Sequence, residues 1–366
     1  EKDGQQWNVL SDVEERYRHR HLDMMVNPES RQALLDRARI VREVRNYFDS
    51  QEYLEVETPL LMQVAGGAAA TPFLTHYNAY DLEVKLRISL ELYLKRIICG
   101  DVPRVYEIGR VFRNEGVSNR HNPEFTLLEF YEAYTNLEGM MNRVEELFKH
   151  VAQAVFGQTE VQGLDFGKPW ARVDLMSAIE EETGLTQEDL SSIENAKAAL
   201  GAKEVKNPET GKRINADDEH HLGGLIEKLL EVFVEPKLQE PTFVVGYPIE
   251  TSPLAKKDPN RPGFTRRFEG YVLGREICNA FSEINDPIDQ KERFEQQATA
   301  LESGDHEAHP MDEEFIYALE CGMPPTGGCG IGIDRMAMLL TGSEHLREVL
   351  MFPMMKPRHE GEEDED

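Results

Sequence analysis

The sequence predicts an α+β fold: a mixed, mostly antiparallel sheet flanked by helices, with a helical insertion over about 174–238. Three observations lead there. Strand-like apolar runs recur at 82–88, 105–112, 125–131, 243–247, 268–272 and 328–333. The stretches between them follow no regular strand–helix–strand rhythm, which argues against a doubly wound parallel sheet. The chain has 366 residues, 40% hydrophobic and 30% charged, enough to bury the core of one large domain or two ordinary ones.

Taken in order, residues 1–26 form a polar lead-in, and the chain begins at Glu1 with no signal peptide. A first residue other than Met suggests a fragment or a processed product. A helix is expected from Asn27-Pro28-Glu29-Ser30, with Asn27 as N-cap and Pro28 in the first turn. Leu34, Ala38, Val41, Val44 and Phe48 then recur at helical spacing. An extended segment runs from Leu54 to Pro59. Within the insertion, Leu222, Leu225, Leu229 and Val232 mark an amphipathic helix. Residues 27–357 thus read as one catalytic-size domain, and 358–366 as a disordered acidic tail.

The formal net charge is −28, which general nucleic-acid affinity does not produce. Any such contact needs a local basic patch, and the run Arg16, Arg18, His19, Arg20, His21 is the candidate; a solvated linker is the plainer reading. The four cysteines, Cys99, Cys278, Cys321 and Cys329, form no CxxC pair and read as reduced thiols of a cytoplasmic protein. No apolar run reaches membrane-spanning length, so no membrane partner is expected. Asp217, Asp218, His220 and His221 match no standard metal spacing and read as a solvated helix start.

Three stretches carry chemistry. In 111–131, apolar strand residues lead into Arg113 and Glu115, a polar loop, and a second strand bearing Phe125, Glu129 and Tyr131. Arginine grips a carboxylate or phosphate with two hydrogen bonds, and Phe125 offers a flat face to a base. A charged hairpin with surface ion pairs is the alternative. In 268–286, Glu269 and Glu276 stand seven apart; a turn between two strands brings both together, as Mg²⁺ shared with phosphate oxygens requires. Two exposed strand glutamates are the alternative. In 326–340, a glycine-rich strand lets a ligand approach the backbone, and a helix is expected near Asp334-Arg335. Met336, Leu339 and Leu340 read as core, and Arg335 alternatively as the ion-pair partner of Asp334. No P-loop or GxGxxG signature is present, so phosphate binding falls to side-chain cations.

Together the three stretches resemble the class II aminoacyl-tRNA synthetases. Residues 111–131 look like the second motif of that class and Gly330-Ile-Gly-Ile-Asp-Arg335 like the third. The helix and strand ending at Pro59 look like the first, which in the class builds a dimer interface. The likeness runs from about Tyr17 to Pro357. Within the class, Gly66-Gly67-Ala-Ala-Ala, Leu92-Tyr-Leu-Lys-Arg96, Arg120-His-Asn-Pro-Glu-Phe125 and Asn279-Ala-Phe-Ser-Glu-Ile-Asn-Asp-Pro287 are similar to the lysyl-tRNA synthetases. The aspartyl and asparaginyl relatives carry Gln-Arg where Ser282-Glu283 stands here. A carboxylate suits that place, because an ε-ammonium needs a buried anionic partner.

The resemblance implies ATP-dependent activation of lysine to lysyl-adenylate, transfer to tRNA(Lys), Mg²⁺ as cofactor and a homodimer. By the same resemblance, Arg113 holds the α-phosphate and the substrate carboxylate. Glu115, His121, Asn122 and Phe125 hold ATP, and Arg335 clamps the γ-phosphate. Glu269 and Glu276 bind Mg²⁺. Gly67 and Glu91 receive the α-amino group, Glu283 and Tyr131 the ε-amino group, and Glu129, Asn279 and Phe281 shape the pocket. Thr71 departs from the pattern, since the family usually carries a basic residue there. The family also places an OB-fold anticodon-binding domain ahead of the region matching Tyr17, where this sequence shows a short lead-in. Weak tRNA charging is the expectation for such a core. Two competing functions follow: a ligase modifying a protein such as elongation factor P, and an inactive lysine- or ATP-binding regulator, which would be expected to lose Arg113, Arg335 or the paired glutamates.

Overall fold

The computed structural model describes residues 10–118, 121–216, 219, 221–302 and 310–357. Residues 1–9, Asn119 and Arg120 of the polar loop, Asp217, Asp218 and His220, and the acidic tail expected at 358–366 lie outside the described residues.

Two short helices, α1 (Val13–Arg18) and α2 (Arg20–Val26), lead into the long α3 (Pro28–Ser50). Pro28 opens α3 as expected, but the Asn27 side chain donates to Leu10 O and Asp23 Oδ1 instead of capping the helix. The buried face of α3 is Leu34, Ile40, Val44, Tyr47 and Phe48, and Ala38 is exposed. Ala38 was expected inside. At about 100° per residue it is rotated by about 110° from the centre of that face, so Ile40 takes the inward place.

In the basic run His19 and His21 are exposed, as a solvated segment requires, but Arg20 is not. Arg20 is 1% exposed. It donates to the carbonyls of Arg347, Leu350 and Met351 and to Asp23. Arg16 also pairs with Asp23, at 2.8 Å. Hydrogen bonds and ion pairs hold the Asp23 carboxylate at about 2 against the opposing effect of its burial.

After β1 (Leu54–Glu55) a small antiparallel sheet forms from β2 (Leu61–Met62), β3 (Leu74–Tyr77) and β4 (Leu82–Leu86), in the order β2-β4-β3. Helix α4 (Glu91–Cys99) separates it from the long hairpin of β5 (Arg104–Phe112) and β6 (Glu124–Ala133). Helix α5 (Leu137–Phe156), the two-stranded ribbon β7 (Glu160–Val161) and β8 (Leu164–Asp165), and β9 (Ala171–Asp174) follow. Next come α6 (Leu175–Thr183), α7 (Ile193–Ala202) and α8 (Leu222–Leu229), which runs into a π-helical turn, Leu230–Val234. The chain continues through β10 (Thr242–Val245), β11 (Arg267–Val272), β12 (Arg275–Ser282), α9 (Pro287–Glu302), α10 (Glu313–Cys321), β13 (Thr326–Gly332) and α11 (Ile333–Thr341).

Eight strands join in the order β1-β5-β6-β13-β12-β11-β10-β9. Only the outer pairs, β1 with β5 and β10 with β9, are parallel. This is the mostly antiparallel sheet that the sequence predicts. Helices α3, α5 and α11 cover one face, packing Phe48, Phe148, Met336 and Leu340 into one core with Tyr106, Leu128 and Phe130 of the sheet. The strand period of two then sends the intervening residues to the opposite face. Glu129 alternates with Leu128 and Phe130, and Asn279 with Cys278 and Ala280. The insertion has its own apolar cluster, Leu175, Ile179, Leu225, Ile226 and Leu229, which docks on Val244, Tyr247 and Tyr271. His221 caps the start of α8 by accepting from Gly224 N at 3.0 Å.

Candidate active site

The sheet face opposite α3, α5 and α11 lines a cavity of about 630 Å³. A second space, of about 660 Å³, adjoins it and shares His121, Arg267, Glu269, Glu276 and Arg335. The first cavity is walled by all the residues singled out from the sequence: Gly67, Glu91, Arg113, Glu115, His121, Asn122, Phe125, Glu129, Tyr131, Glu269, Glu276, Asn279, Phe281, Glu283 and Arg335.

One end is rich in arginine. Arg113 follows β5, its backbone N–H bonded to Pro123 O at 2.8 Å, and its guanidinium lies 5.1 Å from the centre of the Phe125 ring. Its buried Nε has no partner among the described residues, and burial pushes its pKa down. A buried cation with an open donor needs an anion. Glu115 accepts from Thr71 N at 3.2 Å, so the threonine that replaces the family's basic residue contributes a backbone donor. Asn122 donates to Glu124 O at 2.7 Å, and its buried Oδ1 is unpartnered. His121 contacts Ser118 Oγ at 2.9 Å. Burial, then the nearby Arg335 charge, lowers its pKa and favours neutral imidazole.

Arg335, in the first turn of α11, bonds the Glu276 carboxylate and the Glu276 carbonyl, each at 2.9 Å. Its expected alternative partner, Asp334, points elsewhere: it accepts from Arg37 at 2.5 Å and from Thr126 N at 2.9 Å. Successive helical residues face about 100° apart, so these two neighbours cannot share a direction.

The hairpin of β11 and β12 brings Glu269 and Glu276 onto one wall, through a bulge at Gly270/Tyr271. Glu269 accepts from Arg267 at 2.5 Å, Tyr247 at 2.8 Å and Tyr271 at 2.5 Å. Burial raises its pKa, Arg267 opposes the rise, and the Glu276 charge adds to it. Glu276 has the reverse balance: burial pushes it up, but Arg335 and other cations bring it below the usual range. Two carboxylates on one cavity wall, one of them held below the usual range, suit a hard divalent cation whose other ligands come from phosphate. Among the described residues no cluster of three or more metal-ligating side chains exists.

The other end is acidic. Glu91 opens α4, and its N–H donates to Ser89 Oγ at 3.0 Å. Glu129 accepts from Ser89 Oγ at 2.9 Å, Leu90 N at 3.1 Å and Tyr131 Oη at 3.0 Å. Burial, then the Glu91 charge, pushes its pKa up to about 7. Glu283 is 1% exposed. Two glycines make room here. Gly67 adopts φ +89°, and an added Cβ would stand 2.7 Å from Ser89 Oγ. An added Cβ on Gly328 would stand 2.1 Å from Glu283 Oε1 and 2.4 Å from Tyr131 Cε1.

The sequence reading gave no role to Lys95, although its Leu92–Arg96 segment was marked. It is fully buried and ion-paired to both Glu91 and Glu283. The four-residue spacing of Glu91 and Lys95 on one helix was a readable signal. Arg267, which donates to Asn279 Oδ1 at 3.0 Å as well as to Glu269, was also missed.

A family model described as "tRNA synthetases class II (D, K and N)" matches residues 12–356, and the chain belongs to that family. Its mixed eight-stranded sheet and flanking helices are that class of domain. Among curated relatives, a protein named lysine–tRNA ligase from Thermoanaerobacter sp. (strain X514) is 50% identical over 362 residues. That match covers 97% of this chain and 70% of the relative. The lysine–tRNA ligase of Syntrophomonas wolfei is 51% identical over 358 residues, covering 97% and 71%. That of Staphylococcus haemolyticus is 50% identical over 353 residues, covering 95% and 69%. No helix among the described residues is long and apolar enough to cross a membrane.

Proposed function

We propose that the chain is a lysine–tRNA ligase that couples ATP to lysine as an adenylate and passes the lysine to tRNA. The observation that carries the choice of amino acid is the charge of the pocket: Glu91, Glu129 and Glu283 face the cavity, and among the described residues Lys95 is the one cation ion-paired with them. Two negative charges then remain for the two ammonium groups of lysine, and Arg113 for its carboxylate. An aspartate or asparagine substrate cannot satisfy such a pocket.

In this reading Glu91 and the Gly67 backbone take the α-amino group, and Glu283 and Tyr131 the ε-amino group. Glu129, Asn279 and Phe281 shape the space between. Arg113 neutralises the α-phosphate and holds the lysine carboxylate for in-line attack at the α-phosphorus. Phe125 stacks on the base, Glu115, His121 and Asn122 fix the nucleotide, and Arg335 takes the γ-phosphate. No covalent enzyme intermediate forms, so the protein contributes position and charge neutralisation. Enzymes of this class use ATP with a divalent metal; we assign Mg²⁺, with Glu269 and Glu276 as the residues that would hold it. When bound, it supplies charge neutralisation of the phosphates.

We take 27–357 as the catalytic unit, with the insertion over about 174–238, and infer a homodimer. Leu54, Leu60, Leu61, Leu74 and Tyr77 are large, exposed and close together in sequence around β1 to β3, which supports an interface there. A monomer by light scattering at micromolar concentration would remove that part of the proposal. The function itself is tested by ATP–pyrophosphate exchange with each amino acid in turn. Lysine should support exchange, and exchange driven by aspartate or asparagine instead would refute the assignment.

A further inference from the structure

Lys95 lies one helical turn beyond Glu91 on α4, and its ammonium sits between the Glu91 and Glu283 carboxylates. Both carboxylates line the cavity and Lys95 does not. The lysine is therefore behind the wall, where a substrate cannot reach it. The rings of Phe281 and Phe315 flank the ammonium at 5.4 and 5.7 Å. Its contact with Glu283 is an ion pair through Oε2, and the buried Oε1 of Glu283 has no hydrogen-bond donor among the described residues. Glu283 Oε1 lies beside Gly328 and the Tyr131 ring. One carboxylate thus faces a protein cation while keeping acceptors for another.

We propose that Lys95 is a positioning residue for the amino-acid substrate: it holds Glu91 and Glu283 from behind and cancels one of three negative charges, so that the pocket accepts a substrate with two cationic groups. This rests on the assignment of the pocket to lysine. The alternative, that Lys95 merely fills space, fails on chemistry. An ammonium buried only to fill volume costs several kcal/mol that an apolar side chain would not.

The other groups facing this pair are Glu129 and Tyr131 from β6, Arg267 from β11 and Cys99 on α4 itself. Burial raises the carboxylates of Glu91 and Glu283, and Lys95 opposes the rise in both. Removing the Lys95 charge must therefore raise both further, and the empty pocket compensates by binding another proton. Incoming ammonium groups then displace that proton as well. A lysine whose charge did not act on the substrate carboxylates would leave the number of displaced protons unchanged.

The test compares the unaltered protein with Lys95→Met. Lysine binding is measured by calorimetry in buffers of different ionisation enthalpy, which counts protons released. Lysine KM and ATP KM are taken from pyrophosphate exchange between about pH 6 and about pH 8.5. The variant should release about one more proton per lysine bound than the unaltered protein. Its lysine KM should be at least about tenfold higher near pH 6.5 and should recover as pH rises, by up to about tenfold per unit, with ATP KM unchanged. Equal proton counts and parallel KM profiles would overturn the role of Lys95 alone. No lysine binding by the unaltered protein would overturn the lysine pocket and this inference together. If Lys95→Met does not fold, the unaltered protein still decides. With Lys95 charged, it leaves only two carboxylates uncompensated, so release of about three protons overturns the inference and release of about two or fewer supports it.

Discussion

Adding one methyl group at Gly328 should damage lysine recognition selectively. Gly328 lies on β13 opposite Tyr131 and Phe281, and its missing side chain is the space that Glu283 and Tyr131 occupy. In Gly328→Ala the new Cβ would fall 2.1 Å from Glu283 Oε1, 2.4 Å from Tyr131 Cε1 and 2.7 Å from Tyr131 Cδ1. None of these is tolerable, and neither partner is a flexible surface group, since both side chains are buried. Overpacking of this kind costs about 1–3 kcal/mol. If the strain is relieved by shifting Glu283, the same sum appears in binding, where about 1.4 kcal/mol is tenfold. Lysine KM in pyrophosphate exchange should rise by about tenfold to a hundredfold, while ATP KM stays close to its original value. Urea unfolding of Gly328→Ala beside Gly330→Ala separates strain from lost recognition. An added Cβ at Gly330 meets only Glu129 Cγ at 3.7 Å and Asn279 O at 4.0 Å, ordinary contacts that should leave packing intact. A Gly328→Ala enzyme with unaltered lysine KM would refute the reasoning, whatever its stability.

Three further outcomes follow from the site. Glu283→Gln removes a buried charge while keeping its shape, and should weaken lysine binding by about 3–5 kcal/mol in calorimetry, leaving ATP binding nearly unchanged; unaltered lysine affinity would remove Glu283 from the ε-ammonium site. Changing Glu269 and Glu276 together to glutamine should abolish lysine-dependent exchange at every Mg²⁺ concentration while circular dichroism stays native, and full activity would exclude the metal role. For Glu129, burial and the Glu91 charge place the carboxyl at about 7 in the empty pocket. The folded chain then binds more protons than the unfolded one between about pH 4.5 and about pH 7. This group's contribution therefore favours folding at low pH and is lost as pH rises through that window, by about 3 kcal/mol at most. Urea unfolding at both ends of the window should show a fall that Glu129→Gln lacks, and identical slopes would contradict the assignment.

What the sequence made legible was local. The strand-like runs at 125–131 and 268–272 and the apolar spacing of Leu222, Leu225 and Leu229 are carried by neighbouring residues, and each matches an observed element. The cavity-lining residues could also be named, because the motifs that hold them resemble those of the class II aminoacyl-tRNA synthetases. Partner choice was not legible. Whether Arg335 meets Asp334 or Glu276 depends on strand β12 lying beside β13, which no window of sequence contains. The exposure of Ala38 depends on where the sheet sits around α3. The place of Lys95 depends on Glu283, which arrives from another element altogether. The burial of Arg20 needed carbonyls contributed near Leu350. Charge in a sequence does not reveal whether it is solvated until its distant partners are known.

The order of the sheet has a consequence for biosynthesis. Strand β13, the last of this sheet's eight strands in chain order among the described residues, inserts between β6 and β12. Until it emerges from the ribosome, the nascent chain can hold only two separate half-sheets. Arg113, Glu129 and Tyr131 belong to the first, Glu269, Glu276 and Glu283 to the second, and β13 completes the wall between them and leads into Arg335. Closing such distant pairings is entropically slow. Substrate therefore cannot chaperone early folding, and the appearance of lysine binding during translation would time-stamp the arrival of the final strand.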